Sequence, residues 1–139
     1  MQRAIDVFFY GLFMDRNALL AQGLKPGPAR RARVDGYRLH IGERATLMPD
    51  PGGVVWGVVM AMPFDVIECL YAASSVVEYR PEAVLAKLED GTLVATLCYN
   101  LPDGAARGAN PAYAQSLCAL AERLSLPADY RSYLRTIAK

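Results

Sequence analysis

Hydrophobic and polar positions along this chain follow two periods, one near 2 and one near 3.6, and these divide it into strands and helices. The first apolar run, Val7-Phe8-Phe9-Tyr10, is continuous. It predicts a strand through Ala4–Tyr10 that is buried on both faces. Gly11 breaks that strand. Asp15 then stands as the cap of a short helix, Arg16 to Ala21, with Gly23 as its stop. Residues 24–33 read as a Pro/Gly/Arg linker. Val34 to Ile41 alternates apolar and polar residues, which predicts a half-exposed strand. Met48-Pro49-Asp50-Pro51-Gly52-Gly53 is a cluster of turn residues. Val54 to Met62 is a long apolar strand interrupted by Gly57, which marks a bulge or a close backbone approach.

Pro63 ends that strand, and Phe64 to Ala73 has helical spacing, with Val66, Ile67, Leu70 and Ala73 on one face. Val77 to Leu88 predicts another strand, its Pro81 confined to an edge or a bulge. Glu89-Asp90-Gly91-Thr92 is a hairpin turn returning into Leu93–Tyr99. Asn110 caps a helix from Pro111 to Ser125, and a last helix runs from Ala128 to Ile137. Most links between strands are too short to carry a crossover helix. The expected fold class is therefore α+β: a single domain over residues 1–139, with a mixed or mainly antiparallel β-barrel and flanking helices.

Composition adds little steering. The 139 residues are 53% hydrophobic with a formal charge of +1, which favours a compact globule and offers no field for nucleic acid or a membrane surface. Arg30, Arg31 and Arg33 lie close together and read as a solvated loop. The three cysteines, Cys69, Cys98 and Cys118, match no metal or redox spacing. They read as buried thiols in a reducing, cytoplasmic setting. The single histidine, His40, falls on the polar phase and has no second histidine to build a metal site. No metal and no other cofactor is expected.

The stretch with most chemical promise is the corner after the first strand. A buried strand there delivers a glycine turn to a helix start, where peptide N–H groups lack intrahelical partners and can hold a carboxylate or carbonyl oxygen.

Val7-Phe8-Phe9-Tyr10-Gly11-Leu12-Phe13-Met14 resembles the opening strand and glycine turn of the gamma-glutamylcyclotransferase-like (avirulence-induced-gene-like) family. The family usually reads Tyr-Gly-Ser/Thr-Leu there, so Leu12 and Phe13 are departures. Further pieces resemble it in the same order: Gly36-Tyr37-Arg38-Leu39, Pro51-Gly52-Gly53 through Val59, and Tyr79-Arg80 followed by Val84. Asn110-Pro111-Ala112-Tyr113, then Leu126-Pro127-Ala128-Asp129-Tyr130 and Leu134, resemble its closing helices.

The resemblance implies a barrel whose ligand is a small molecule, a γ-glutamyl amine or a related amino-acid derivative. It implies intramolecular cyclisation: the α-amine attacks its own γ-carbonyl, 5-oxoproline forms and the amine leaves. Tyr10, Gly11, Leu12, Phe13, Tyr79 and Tyr99 are the implied binding residues. A glutamate in a Leu-Asp-x-x-Glu-Gly pattern is the family's base. The matching stretch here is Leu70-Tyr71-Ala72-Ala73-Ser74-Ser75, with Ser74 on the glutamate position. A serine hydroxyl has no accessible pKa near neutrality and cannot take that role. Glu68, Glu78 and Glu82 are the nearest carboxylates. Glu78, at the start of the next strand, is the candidate catalytic residue. Three readings stay open: a cyclotransferase with a relocated carboxylate, a non-catalytic ligand-binding or interaction protein, and an enzyme acting on another amino-acid-derived metabolite.

Overall fold

The structure is a computed structural model, and it describes residues 3–72, 76, 78–102 and 108–138. Five strands form the framework: β1 (Ala4–Phe9), β2 (Arg30–Ile41), β3 (Ala45–Pro63), β4 (Arg80–Leu88) and β5 (Leu93–Asn100). They close into a barrel in the order β1-β3-β2-β4-β5. Neighbours are antiparallel except at the seam, where β1 runs parallel to β5 through Val7 and Leu97. Among the described residues, four helices flank it: α1 (Arg16–Ala21), α2 (Phe64–Leu70), α3 (Pro111–Arg123) and α4 (Ala128–Ile137). A 3-10 turn, Leu12–Met14, joins β1 to α1.

β1 is buried as its apolar run requires, with Val7, Phe8, Phe9 and Tyr10 all 6% exposed or less. On its β3 side Phe9 pairs with Val58, and a Cβ on Gly57 would collide with the Phe9 carbonyl. Gly57 is thus the close backbone approach expected of it. Pro81 pairs with Tyr99 of β5. β4 meets β2 only near Leu88 and Lys87, so Pro81 lies where that edge of β4 is free of ladder bonds.

Three expectations are corrected. The cluster Met48–Gly53 does not end a strand, because it lies inside β3. Tyr37 pairs with Pro49 and Asp35 with Val54, so residues 50–53 bulge out opposite Gly36 alone. Gly36 takes a φ of +89°, and a Cβ on Gly53 would collide with the Tyr37 carbonyl. The turn-forming residues bend the ladder instead of reversing it. The buried positions of β2 change parity across the bulge, from Ala32 and Val34 to Leu39.

The end of the Pro/Gly/Arg linker is strand, because Arg30–Arg33 open β2. Their charges are matched around the barrel: Arg30 to Asp6 and Arg31 to Glu89, each at 2.9 Å, and Arg33 to Asp35 at 3.4 Å. Of the cysteines only Cys98 is buried; Cys69 is exposed and Cys118 half-buried.

Helix ends follow their caps. Asp15 accepts from the Ala18 amide and Asn110 from the Tyr113 amide. α3 stops at Arg123, two residues short of Ser125, where φ is 55° and the Leu126 amide turns back to the Ala121 carbonyl at 3.1 Å. α2 stops at Leu70; Ala73, expected at its end, lies outside the described residues. Among the described residues no helix is long and apolar enough to cross a membrane.

Candidate functional site

A cavity of about 350 Å³ opens at the corner where β1 meets the 3-10 turn. That volume suits a small ligand. Tyr10, Gly11, Leu12, Phe13, Tyr79 and Tyr99 all stand on its wall. Glu78 does not, among the described residues. Its carboxylate is 2.9 Å from the Arg44 guanidinium, which is itself on the wall. Glu82 is turned to the outside of the barrel, where it accepts from the Tyr37 hydroxyl at 2.7 Å. Ser74 and Ser75 lie outside the described residues.

One side of the wall is aromatic. Phe9 and Phe13 meet edge to face at 6.3 Å, Phe13 and Tyr71 at 5.6 Å, and Tyr71 stacks on Tyr99 at 4.0 Å. Such offset and edge contacts fix ring orientations. Two hydroxyls are spent on the barrel itself. Tyr10 donates to the Tyr99 carbonyl at 2.7 Å, across the seam, and Tyr79 donates to the Ala45 carbonyl. Burial pushes the Tyr10, Tyr71, Tyr79, Tyr99 and Tyr113 phenols up, so all stay neutral near pH 7. These groups can donate hydrogen bonds but cannot act as bases there.

Tyr113 has a distinct position. It sits on the first turn of α3, capped by Asn110, and its hydroxyl accepts from the Leu12 amide at 3.2 Å. The turn's Leu12 amide is therefore occupied by a phenol. The phenol's own proton remains to be donated, and a hydroxyl that accepts one bond donates the next more strongly. Gly11 is required beneath it, because a Cβ there would collide with the Tyr113 hydroxyl oxygen.

Another part of the wall is charged and comes from the tight turn between β2 and β3. Glu43 and Arg44 both stand on the cavity wall. Asn110 ties this turn to α3: its Oδ1 accepts from the Tyr113 amide at 3.0 Å, and its Nδ2 donates to the Glu43 carbonyl at 3.2 Å. Sequence reasoning passed over Glu43, Arg44, Tyr71, Asn110 and Tyr113 as lining residues. The available signal was the pairing of a capped helix start, Asn110-Pro111, with a tyrosine three residues into it.

The family model described as Gamma-glutamyl cyclotransferase, AIG2-like matches residues 7–117. Among solved structures, one described as a gamma-glutamyl cyclotransferase superposes with a TM-score of 0.83 at 21% identity, over 95% of this chain and 86% of its own. An uncharacterised protein from Homo sapiens gives 0.81 at 21% identity, over 96% and 88%. YkqA from Bacillus subtilis gives 0.76 at 24% identity, over 96% and 54%. At these identities the likeness is one of fold. No curated protein matches the chain by sequence.

Proposed function

This chain belongs to the gamma-glutamyl cyclotransferase, AIG2-like family, and from that premise we propose that its cavity binds a γ-glutamyl derivative of an apolar amine and closes the glutamyl group to 5-oxoproline. The amine is released. The observation that carries this reading is the coincidence of the cavity with the glycine turn, residues 10–13, inside the matched segment.

The chemistry suits the wall. The substrate holds nucleophile and carbonyl in one molecule, so ring closure needs no covalent enzyme intermediate. A neutral Tyr113 hydroxyl, already engaged by the Leu12 amide, is a fitting donor to a substrate carboxylate or to the developing oxyanion. The aromatic side, from Phe13 through Tyr71 to Tyr99, favours an apolar group on the departing nitrogen.

Incubation with γ-glutamyl-phenylalanine, γ-glutamyl-alanine and γ-glutamyl-lysine tests this directly. Release of 5-oxoproline is expected, fastest with the phenylalanine compound. A second reading, ligand binding without turnover, is favoured by Ser74 on the position where the family pattern has glutamate. Under that reading all three compounds bind and none reacts, and Ser74→Glu makes 5-oxoproline release appear, because it restores a positioned acid/base.

A further inference from the structure

We infer that Glu43, on the turn between β2 and β3, is the residue that carries the proton from the substrate's ammonium to its leaving amine; this rests on the cyclotransferase reading above. The family pattern lacks its glutamate here, and the reaction still needs one group to take a proton and give it back. Glu43 is the carboxylate found on the cavity wall among the described residues. Glu78 lies one residue behind that wall, held by Arg44 at 2.9 Å.

Glu43 is exposed at the cavity wall, and its side chain runs close to Gly108. Gly108 has a φ of +80°, and a Cβ there would stand 2.6 Å from Glu43 Cγ and 3.1 Å from its Cδ. A side chain at 108 would thus displace the carboxyl group. Asn110 also holds this residue, donating to its main-chain carbonyl at 3.2 Å. Asn110 also orders the first turn of α3, which carries Tyr113. One side chain therefore fixes both the proposed acid/base and the proposed oxyanion donor.

The step balances without a co-reactant. The Glu43 carboxylate takes one proton from the α-ammonium. The freed amine forms the C–N bond to the γ-carbonyl carbon, with the oxygen held by Tyr113. The old C–N bond then breaks as the Glu43 carboxyl returns its proton to the departing nitrogen, and the carboxylate takes the surplus proton from the new ring nitrogen and passes it to the released amine. Products are 5-oxoproline and the amine as its ammonium ion, and Glu43 ends ionised as it began.

The test uses γ-glutamyl-phenylalanine with the wild-type chain, Glu43→Gln, Glu43→Ala and Glu78→Gln. Glu43→Gln is expected to lower kcat by about 10²–10⁴-fold with little change in KM. Added formate should restore part of the rate to Glu43→Ala, because a carboxylate can enter the space left, and should leave the wild type unchanged. A role for Glu43 in shape alone would raise KM, lower the melting temperature and resist formate. That result, or an active Glu43→Gln, would overturn the inference while leaving the cyclotransferase reading intact. Loss of activity in Glu78→Gln with Glu43→Gln unaffected would move the role to Glu78. A wild type that binds the compound without turnover would overturn the cyclotransferase reading and this inference together.

Discussion

On one side of the cavity, β1 and the turn after it are buried, aromatic and held by backbone. On the other, the turn that carries Glu43 and Arg44 is charged, and the pair it makes with Glu78 leaves that carboxylate 55% exposed. The buried side gains its rigidity from close approaches that leave no room for a Cβ, at Gly57 against Phe9 and at Gly11 against Tyr113. The charged side is a tight turn, tied to α3 by the hydrogen bond that Asn110 Nδ2 donates to the Glu43 carbonyl. The buried side sets shape, and the charged side presents the carboxylate and guanidinium groups of the wall. A site divided in this way can alter its chemistry through rim residues while its wall stays constant.

Three substitutions sharpen or break that contrast. The largest effect is expected at Gly57→Ala, where the new methyl meets the Phe9 backbone and has no flexible atom to displace. About 3 kcal/mol of stability should be lost, the upper end of ordinary overpacking, read from the urea midpoint. An unchanged midpoint would mean that β1 can shift on β3 and that the wall is not rigid. Gly11→Ala comes next, at about 1–3 kcal/mol. Here the obstacle is a hydroxyl, so the cost should fall when Tyr113→Phe removes it, since the nearest remaining ring atom, Cζ, stands 3.6 Å away. Strictly additive losses in that double-mutant cycle would place the strain elsewhere. The smallest effect belongs to the rim. Glu78→Gln breaks an exposed pair with Arg44 and should cost no more than about 1 kcal/mol, less at high salt. A larger loss would mean that the rim is as much a part of the scaffold as the wall.

The same contrast decides what was legible in the sequence. β1, α1, α4 and the β4–β5 hairpin are written in local signals: a continuous apolar run, an aspartate cap, a helical stripe, and Asp90-Gly91 at the turn, where Gly91 takes a φ of +91°. The aromatic wall follows from β1 and from strand positions near it. The bulge at residues 50–53 was misread because Pro, Asp and Gly serve a bend and a reversal equally well, and only the partner strand decides between them. The actual reversal, at residues 42–44, carries one glycine and two charged residues and gives no comparable signal. Glu43 was hidden for that reason. Tyr113 was hidden because its meeting with Leu12 joins residues 101 positions apart in the chain.

The parallel seam between β1 and β5 has a kinetic consequence. Both hairpins, β2–β3 and β4–β5, can form from near neighbours in sequence, whereas Val7 must find Leu97 across most of the chain. Contacts of such separation form late, since the loop they close is costly until other structure has shortened it. The cavity has walls on both sides of this seam, and Tyr10 clasps Tyr99 across it at 2.7 Å. A molecule lodged there bridges the first strand to the last. It should therefore slow the opening of the ring, and amide hydrogens along β1 should exchange with solvent more slowly in its presence than those of the β4–β5 hairpin tip.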